Sequence, residues 1–242
     1  MRRRVPSVLC AVVLLGIATA PSHAANASVL EQQVTIAVRE LAALRPLAAS
    51  PTVPEYQRAA FGTAWADVDG NHCRTRDDIL ARDLTKVTRR GTCTVMSGLL
   101  ADPYTGTLER FTKAKASAVQ IDHVVPLALA WRSGAWAWPA GKRATFANDP
   151  LNLLAVDGRL NVDKGDAGPS AWLPPNRAYR CTYVMRFVRV SFLYGVEVSA
   201  ADRARASQVL RTCKRVVGKP MSLTALSPVL WPHAATYVHV RV

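Results

Sequence analysis

The sequence predicts an α+β fold with two short strands and a helix at its centre, helices inserted between and after them, and disulfide-stapled flanks. Three observations predict it. Residues 119–125 and 151–156 are rich in β-branched and aliphatic side chains over strand-like lengths. Leu30, Val34, Ala37, Val38, Leu41 and Leu44 recur at helical spacing. Beyond an export leader, four cysteines remain, the even count expected of an exported, disulfide-bonded chain.

The leader is read from residues 1–24. Arg2, Arg3 and Arg4 form a positive start, and residues 8–20 form an apolar run too short to span a bilayer. Ser22-His23-Ala24 offers a small-x-small cleavage site, with Ala25-Asn26-Ala27 as the alternative. Cys10 has no small residues just before it, which argues against a lipoprotein site. A secretory signal peptide cleaved near Ala24 is expected, with a secreted, extracellular product and no transmembrane segment in the mature chain. The whole chain carries 31 basic and 17 acidic residues. Loss of the three leader arginines leaves a net charge of about +11, which favours polyanionic partners such as nucleic acid or an acidic envelope polymer.

Residues 25–54 read as an N-terminal helix and linker. Ser28 is the expected N-cap, with Glu31 three residues later, and the helix should stop before Pro46. Residues 55–175 read as the main domain. Asp67-Val68-Asp69-Gly70-Asn71 is a turn-rich acidic loop whose glycine is misplaced for a calcium-binding EF-hand. A short helix is expected over 75–84, then strand and hairpin over 93–96 and around Asp102-Pro103-Tyr104-Thr105-Gly106. After the strand at 119–125, two short helices are expected over 127–131 and 140–147, with Pro139 at a first helical position. A second strand follows, and then a helix from Gly158 that carries Asn161 and Lys164 on one face. Residues 176–242 read as a helical extension packed on this domain.

Cys73–Cys93 and Cys181–Cys213 are the sequence-local pairing among three connectivities. A zinc cluster competes poorly, since no C-x-x-C or H-x-x-x-H spacing is present. Trp131, Trp136 and Trp138 suit core packing better than base stacking. Arg203, Arg205, Arg211, Lys214 and Arg215 suit a solvated helix face or phosphate contacts.

The chemistry concentrates in Ile121-Asp122-His123-Val124-Val125-Pro126, Asn152-Leu153-Leu154 and Asn161-Val162-Asp163-Lys164-Gly165-Asp166. Phosphodiester hydrolysis requires a base for water and positive charge for the phosphoryl and departing oxygens. A histidine suits the first task, and a hard cation on oxygen ligands suits the second. Neighbouring strand residues point to opposite faces. Asp122 and His123 can therefore serve one centre only from a twisted or looping strand end, which Pro126 accommodates.

These residues resemble the HNH endonuclease motif of the ββα-metal (His-Me finger) nucleases. Roughly residues 65–175 resemble a secreted bacterial branch related to the C-terminal domain of GmrSD restriction endonucleases. Asp69 to Arg76, Asp102 to Gly106, Phe146-Ala147-Asn148-Asp149 and Trp172-Leu173-Pro174-Pro175 carry the likeness beside the three motif segments. The resemblance implies His123 as general base, Asn152 as its orienting residue, and Asp122 and Asn161 as ligands of one divalent cation. Mg2+ or Mn2+ is expected, with Zn2+ or Ca2+ as alternatives. It implies cleavage to 5′-phosphate and 3′-hydroxyl ends. Lys164 is a candidate phosphate contact on the strength of its place one turn from Asn161. Leu129, Arg132, Val162, Gly168 and Ala171 depart from the charged residues that relatives often carry there. The expected activity is a metal-dependent endonuclease of little sequence specificity, acting as a monomer on DNA, with RNA as the alternative substrate. The rival is a non-catalytic exported protein that binds nucleic acid or an acidic polymer.

Overall fold

A computed structural model describes residues 23–48 and 52–213. Most of the expected signal peptide lies outside the described residues, as do Lys214, Arg215 and the remaining C-terminal residues. The first helix, α1 (His23–Ala43), begins five residues before the expected Ser28 cap. Its first turn runs through an alanine-rich stretch, and alanine has the highest helix propensity.

Helix α1 buries Val34, Ala37 and Leu41 against α6 (Arg180–Tyr194) and α7 (Ala200–Cys213). The join is reinforced by charge. Arg189 pairs with Glu40, and Arg203 donates to the carbonyls of Leu41 and Leu44 at the end of α1. Those carbonyls would otherwise lack helical partners. Arg203 is thus a structural cap rather than a phosphate contact. The basic α7 arginines Arg205 and Arg211 bond Gln208 and Ser207 on their own helix. Both expected disulfides form: Cys181–Cys213 ties α6 to α7, and Cys73–Cys93 ties the acidic loop to a strand turn.

A three-stranded antiparallel sheet runs β1 (Leu84–Arg90), β2 (Thr94–Ala101), β3 (Leu108–Thr112), with α2 (Thr75–Asp83) before it. Strand β1 has no counterpart in the sequence reading. It is an edge strand, mostly solvent-exposed, and Lys86, Arg89 and Arg90 take positions where apolar alternation would have announced it. The loop joining β2 to β3 is closed by Asp102, whose carboxylate accepts from Thr105 N at 2.6 Å.

The centre is a second antiparallel pair, β4 (Val119–His123) and β5 (Leu153–Asp157). Between them run α3 (Leu127–Arg132) and α4 (Ala140–Asn148), and after them α5 (Gly158–Lys164). This is the strand, helical insertion, strand and helix order expected. Pro139 departs slightly: its extended ψ of 145° makes it the N-cap of α4 rather than the first helical residue. Asp157 caps α5 by accepting from Leu160 N at 2.7 Å. Gly158 has no substitute, because a Cβ there would lie 2.0 Å from Ser117 O.

The ribbon divides two cores. Val119, Ile121, Leu153 and Ala155 pack with α2 and the three-stranded sheet. Leu154 and Val156 pack with the larger core of α1, α6 and α7. Directly opposed residues of an antiparallel pair share a face. The register therefore puts Gln120 and Asp122 with Leu154 and Val156, and His123 with Leu153. Both ribbon faces are buried, which accounts for the near-continuous apolar runs in sequence.

Candidate active site

Asp122 and His123 lie on opposite faces of β4, as the pleat requires, yet both line one cavity of about 470 Å³ at the strand end. Asn161 lines it too, one helix later. The structure thus brings three of the four motif residues to one opening, and the fourth supports them from behind.

His123 is 7% exposed. Its Nε2 lies 2.8 Å from Ala147 O. A carbonyl only accepts, so Nε2 carries the proton. Burial, the largest influence, lowers the imidazole pKa to about 4 against the opposing effects of Ala147 and Asp122. The ring is therefore neutral near pH 7, and Nδ1 keeps its lone pair. The Trp65 indole stacks on the imidazole, with centroids 6.1 Å apart and planes 18° from parallel.

Asn152 is fully buried. Its Oδ1 accepts from Val125 N at 2.8 Å and its Nδ2 donates to Val125 O at 3.2 Å. Its own carbonyl accepts from Val124 N at 2.8 Å. It holds the backbone just past His123, and none of these bonds goes to the ring. Its turn is clamped in turn by two guanidinium groups. Arg82 and Arg186 each donate to both Pro150 O and Leu153 O, and Arg186 also to Leu151 O at 2.6 Å. Helix α6 thereby reaches the site through backbone carbonyls.

Asp122 is 4% exposed, and both its oxygens have donors. Tyr104 OH donates to Oδ2 at 2.5 Å, and Lys164 Nζ donates to Oδ1 at 2.8 Å. Lys164 also donates to His123 O at 2.8 Å. Its ammonium is fully covered and belongs to a buried ion pair. The expectation that Lys164 contacts phosphate is therefore corrected: residues three apart on a helix share a face, but this face packs inward onto the ribbon. Burial pulls the Lys164 pKa down while Asp122 opposes the shift. Asn161 Nδ2 donates to Gln120 Oε1 at 2.8 Å. Its Oδ1 has no hydrogen-bond partner among the described residues.

Asp122 and Asn161 are the oxygen donors that line the cavity and were expected to hold a cation. Each carboxylate oxygen has two acceptor positions, so Asp122 keeps one on each oxygen, and Asn161 offers a free amide oxygen. Among the described residues no group of three or more His, Cys, Asp or Glu side chains could hold a metal. Two protein oxygens leave the other positions of a cation to water and phosphate.

The sequence reading missed the opposite wall of the cavity. Tyr56, Arg58, Trp65 and Arg76 line it. Arg58 is exposed, and Arg76 donates to Ala116 O at 3.3 Å and Val119 O at 3.5 Å. Arg76 and Tyr104 sit in segments that the resemblance singled out, but without assigned roles. Trp65 carried no signal, because the richer tryptophan cluster lay elsewhere. That cluster is mainly core: Trp131 donates to Pro54 O at 2.7 Å, and Trp138 packs on Phe146 and Tyr194.

Residues 74–205 match the family of GmrSD restriction endonucleases, C-terminal domain. An uncharacterized secreted protein of Arthroderma benhamiae is 40% identical over 174 residues, which cover 70% of this chain and 82% of that protein. No solved structure matches. With more than half the chain matched from α2 into α7, and the ribbon and its helix inside the match, this protein belongs to the family of GmrSD restriction endonuclease C-terminal domains.

Proposed function

We propose that this protein is an exported, divalent-metal-dependent HNH endonuclease that hydrolyses nucleic acid with little sequence specificity. The observation that carries the reading is the neutral His123 ring. Its Nε2 proton is committed to Ala147 O, and its Nδ1 is left as an acceptor in a residue that shares one cavity with Asp122 and Asn161. The strand, strand, helix order of β4, β5 and α5 supports a ββα-metal core, and the family supports nuclease chemistry.

In this reading His123 Nδ1 takes the proton of the attacking water. Asn152 keeps the strand end, and so the ring, in place. Asp122 and Asn161 would hold Mg2+ or Mn2+, which supplies charge for the phosphoryl oxygens and the departing 3′ oxygen. Arg58 and Arg76 make the cavity mouth attractive to phosphate. Among the described residues no base-reading module accompanies the site, and phosphate charge is indifferent to sequence. Export is supported by the positively charged, apolar N-terminal sequence and by the secreted relative. Among the described residues no helix is long and apolar enough to cross a membrane. We take the protein to act as a monomer on DNA first, with RNA as the second substrate.

One observation favours the rival, a non-catalytic exported protein that binds nucleic acid or an acidic polymer. Lys164 and Tyr104 already occupy Asp122. Plasmid cleavage by the mature, oxidised protein separates the two readings. Nicking with Mg2+ or Mn2+ that is lost with EDTA and in His123→Ala supports the nuclease. Intact plasmid and intact RNA across several metals, with folded protein, would leave the binding protein.

A further inference from the structure

We infer that the cavity over His123 is built for single-stranded nucleic acid, with Trp65 and Tyr56 as base-stacking surfaces and Arg58 and Arg76 as phosphate contacts. The inference rests on the nuclease reading above and names its substrate class.

Access is the first observation. His123 and Asp122 are 7% and 4% exposed, so the reacting phosphate must enter the cavity rather than brush its rim. The cavity measures about 470 Å³. Arg58, Trp65, His123 and Leu127 also line a second hollow of about 260 Å³ that extends to Phe61 and Asn148. A scissile phosphate at His123 carries a nucleotide on each side, and two hollows sharing the histidine give each nucleotide room. A single strand can bend its backbone inward and turn its bases aside.

Wall chemistry is the second observation. Electrostatic grooves that take single strands combine cationic groups with aromatic faces, and each stacked base is held without regard to its identity. Here the cations are Arg58 and Arg76 and the aromatics are Tyr56 and Trp65. The acids of the same cavity are neutralised: Asp122 by Lys164 and Asp166 by Arg132. Phosphate therefore meets a net positive wall.

Trp65 itself is the third observation. Its φ of 59° lies in the left-handed region, which a bulky residue adopts at a cost. Neighbouring bonds impose it: Ala66 N donates to Asn148 Oδ1 at 3.0 Å, and Thr75 donates to Ala66 O. Glycine or asparagine would fit that backbone more easily. The large indole stands instead where it stacks on the histidine and faces both hollows.

The test compares one short oligonucleotide, alone and in a blunt duplex, under the metal that supports cleavage. The single strand should be cut at least about tenfold faster in kcat/KM. Trp65→Ala should lower the single-strand value by at least about fivefold, the low end of what one stacked base contributes, chiefly through KM. Trp65→Phe should restore most of it, and duplex cutting should move less. Equal rates on both forms, or a Trp65→Ala loss identical on both, overturns the inference. A parallel anisotropy titration with His123→Ala protein keeps it falsifiable without cleavage. Tighter single-strand binding that weakens in Trp65→Ala supports the cavity assignment even if the nuclease reading has failed. Equal binding of both forms overturns it.

Discussion

The two walls of the cavity differ in nearly every physical respect. The inner wall, β4 and α5 with the start of α3, is mostly buried, and most of its polar atoms are satisfied within the protein. The outer wall, Tyr56 to Arg76, contains exposed Arg58, a tryptophan at positive φ and weakly bonded Arg76. A satisfied, rigid wall suits chemistry, where small displacements of the reacting groups are costly. A wall with an exposed Arg58, a half-buried Arg76 and partly exposed Tyr56 and Trp65 rings suits capture of a flexible polyanion. The difference teaches that rate and affinity should respond to different residues.

The largest expected effect is on the inner wall. His123→Ala should lower cleavage by about 10²–10⁴-fold, the range for loss of a general base, while single-strand affinity stays within about threefold. Parallel gel cleavage and anisotropy measurements check this. If affinity collapses with rate, the two walls are not separable.

Next comes the buried ion pair. Lys164→Met leaves Asp122 buried without its cation and should destabilise the protein by about 3–5 kcal/mol in urea unfolding with EDTA. A surface phosphate contact would leave stability unchanged and instead flatten the salt dependence of binding. Asn152→Ala unpairs Val125 N and O and should cost about 2–4 kcal/mol while lowering kcat more than it raises KM. An unchanged kcat would reduce Asn152 to a purely structural tie.

The pH dependence of stability sharpens the comparison further. His123 has its folded pKa lowered to about 4 from an ordinary 6.5, so between these values the unfolded chain binds more protons. Stability is then fully present above about pH 6.5 and falls as the pH drops toward 4, by on the order of 3 kcal/mol in all. His123→Gln should flatten that part of the profile. A profile that is the same in both proteins would mean that His123 is not buried and neutral.

The smallest effect belongs to the outer wall. Arg58→Ala should raise KM or Kd only a few-fold. It should also reduce the slope of log affinity against log salt by about 0.7–0.9, one phosphate's worth. An unchanged slope removes Arg58 from the phosphate track.

Much of the inner wall was legible because it is local. Two apolar strand segments, an Asp-His pair, two asparagines and a capped helix follow one another, and ribbon pairing needs only their register. The outer wall was not legible. Arg58, Trp65 and Arg76 stand 47 to 65 positions before His123, and ordinary-looking stretches gave no period or spacing to join them to it. Lys164 shows the same limit at short range. Helical spacing placed it beside Asn161, but only packing of α5 on β4 turned its ammonium inward onto Asp122. Strand β1 was missed because a charged, exposed edge strand lacks the alternation by which strands are read.

By itself, then, the sequence determined the α+β class, the strand–helix order around Asp122 and His123, the two local disulfide pairings and the basic charge. All of these follow from local propensity, short loop closure and composition. Only the tertiary structure decided which side chains share the cavity, that His123 is neutral with Nδ1 free, that Lys164 is a buried counter-ion, and that Arg82 and Arg186 clamp the Asn152 turn. Those depend on desolvation and on contacts between distant segments, and neither has a signature in the spacing of residues along the chain.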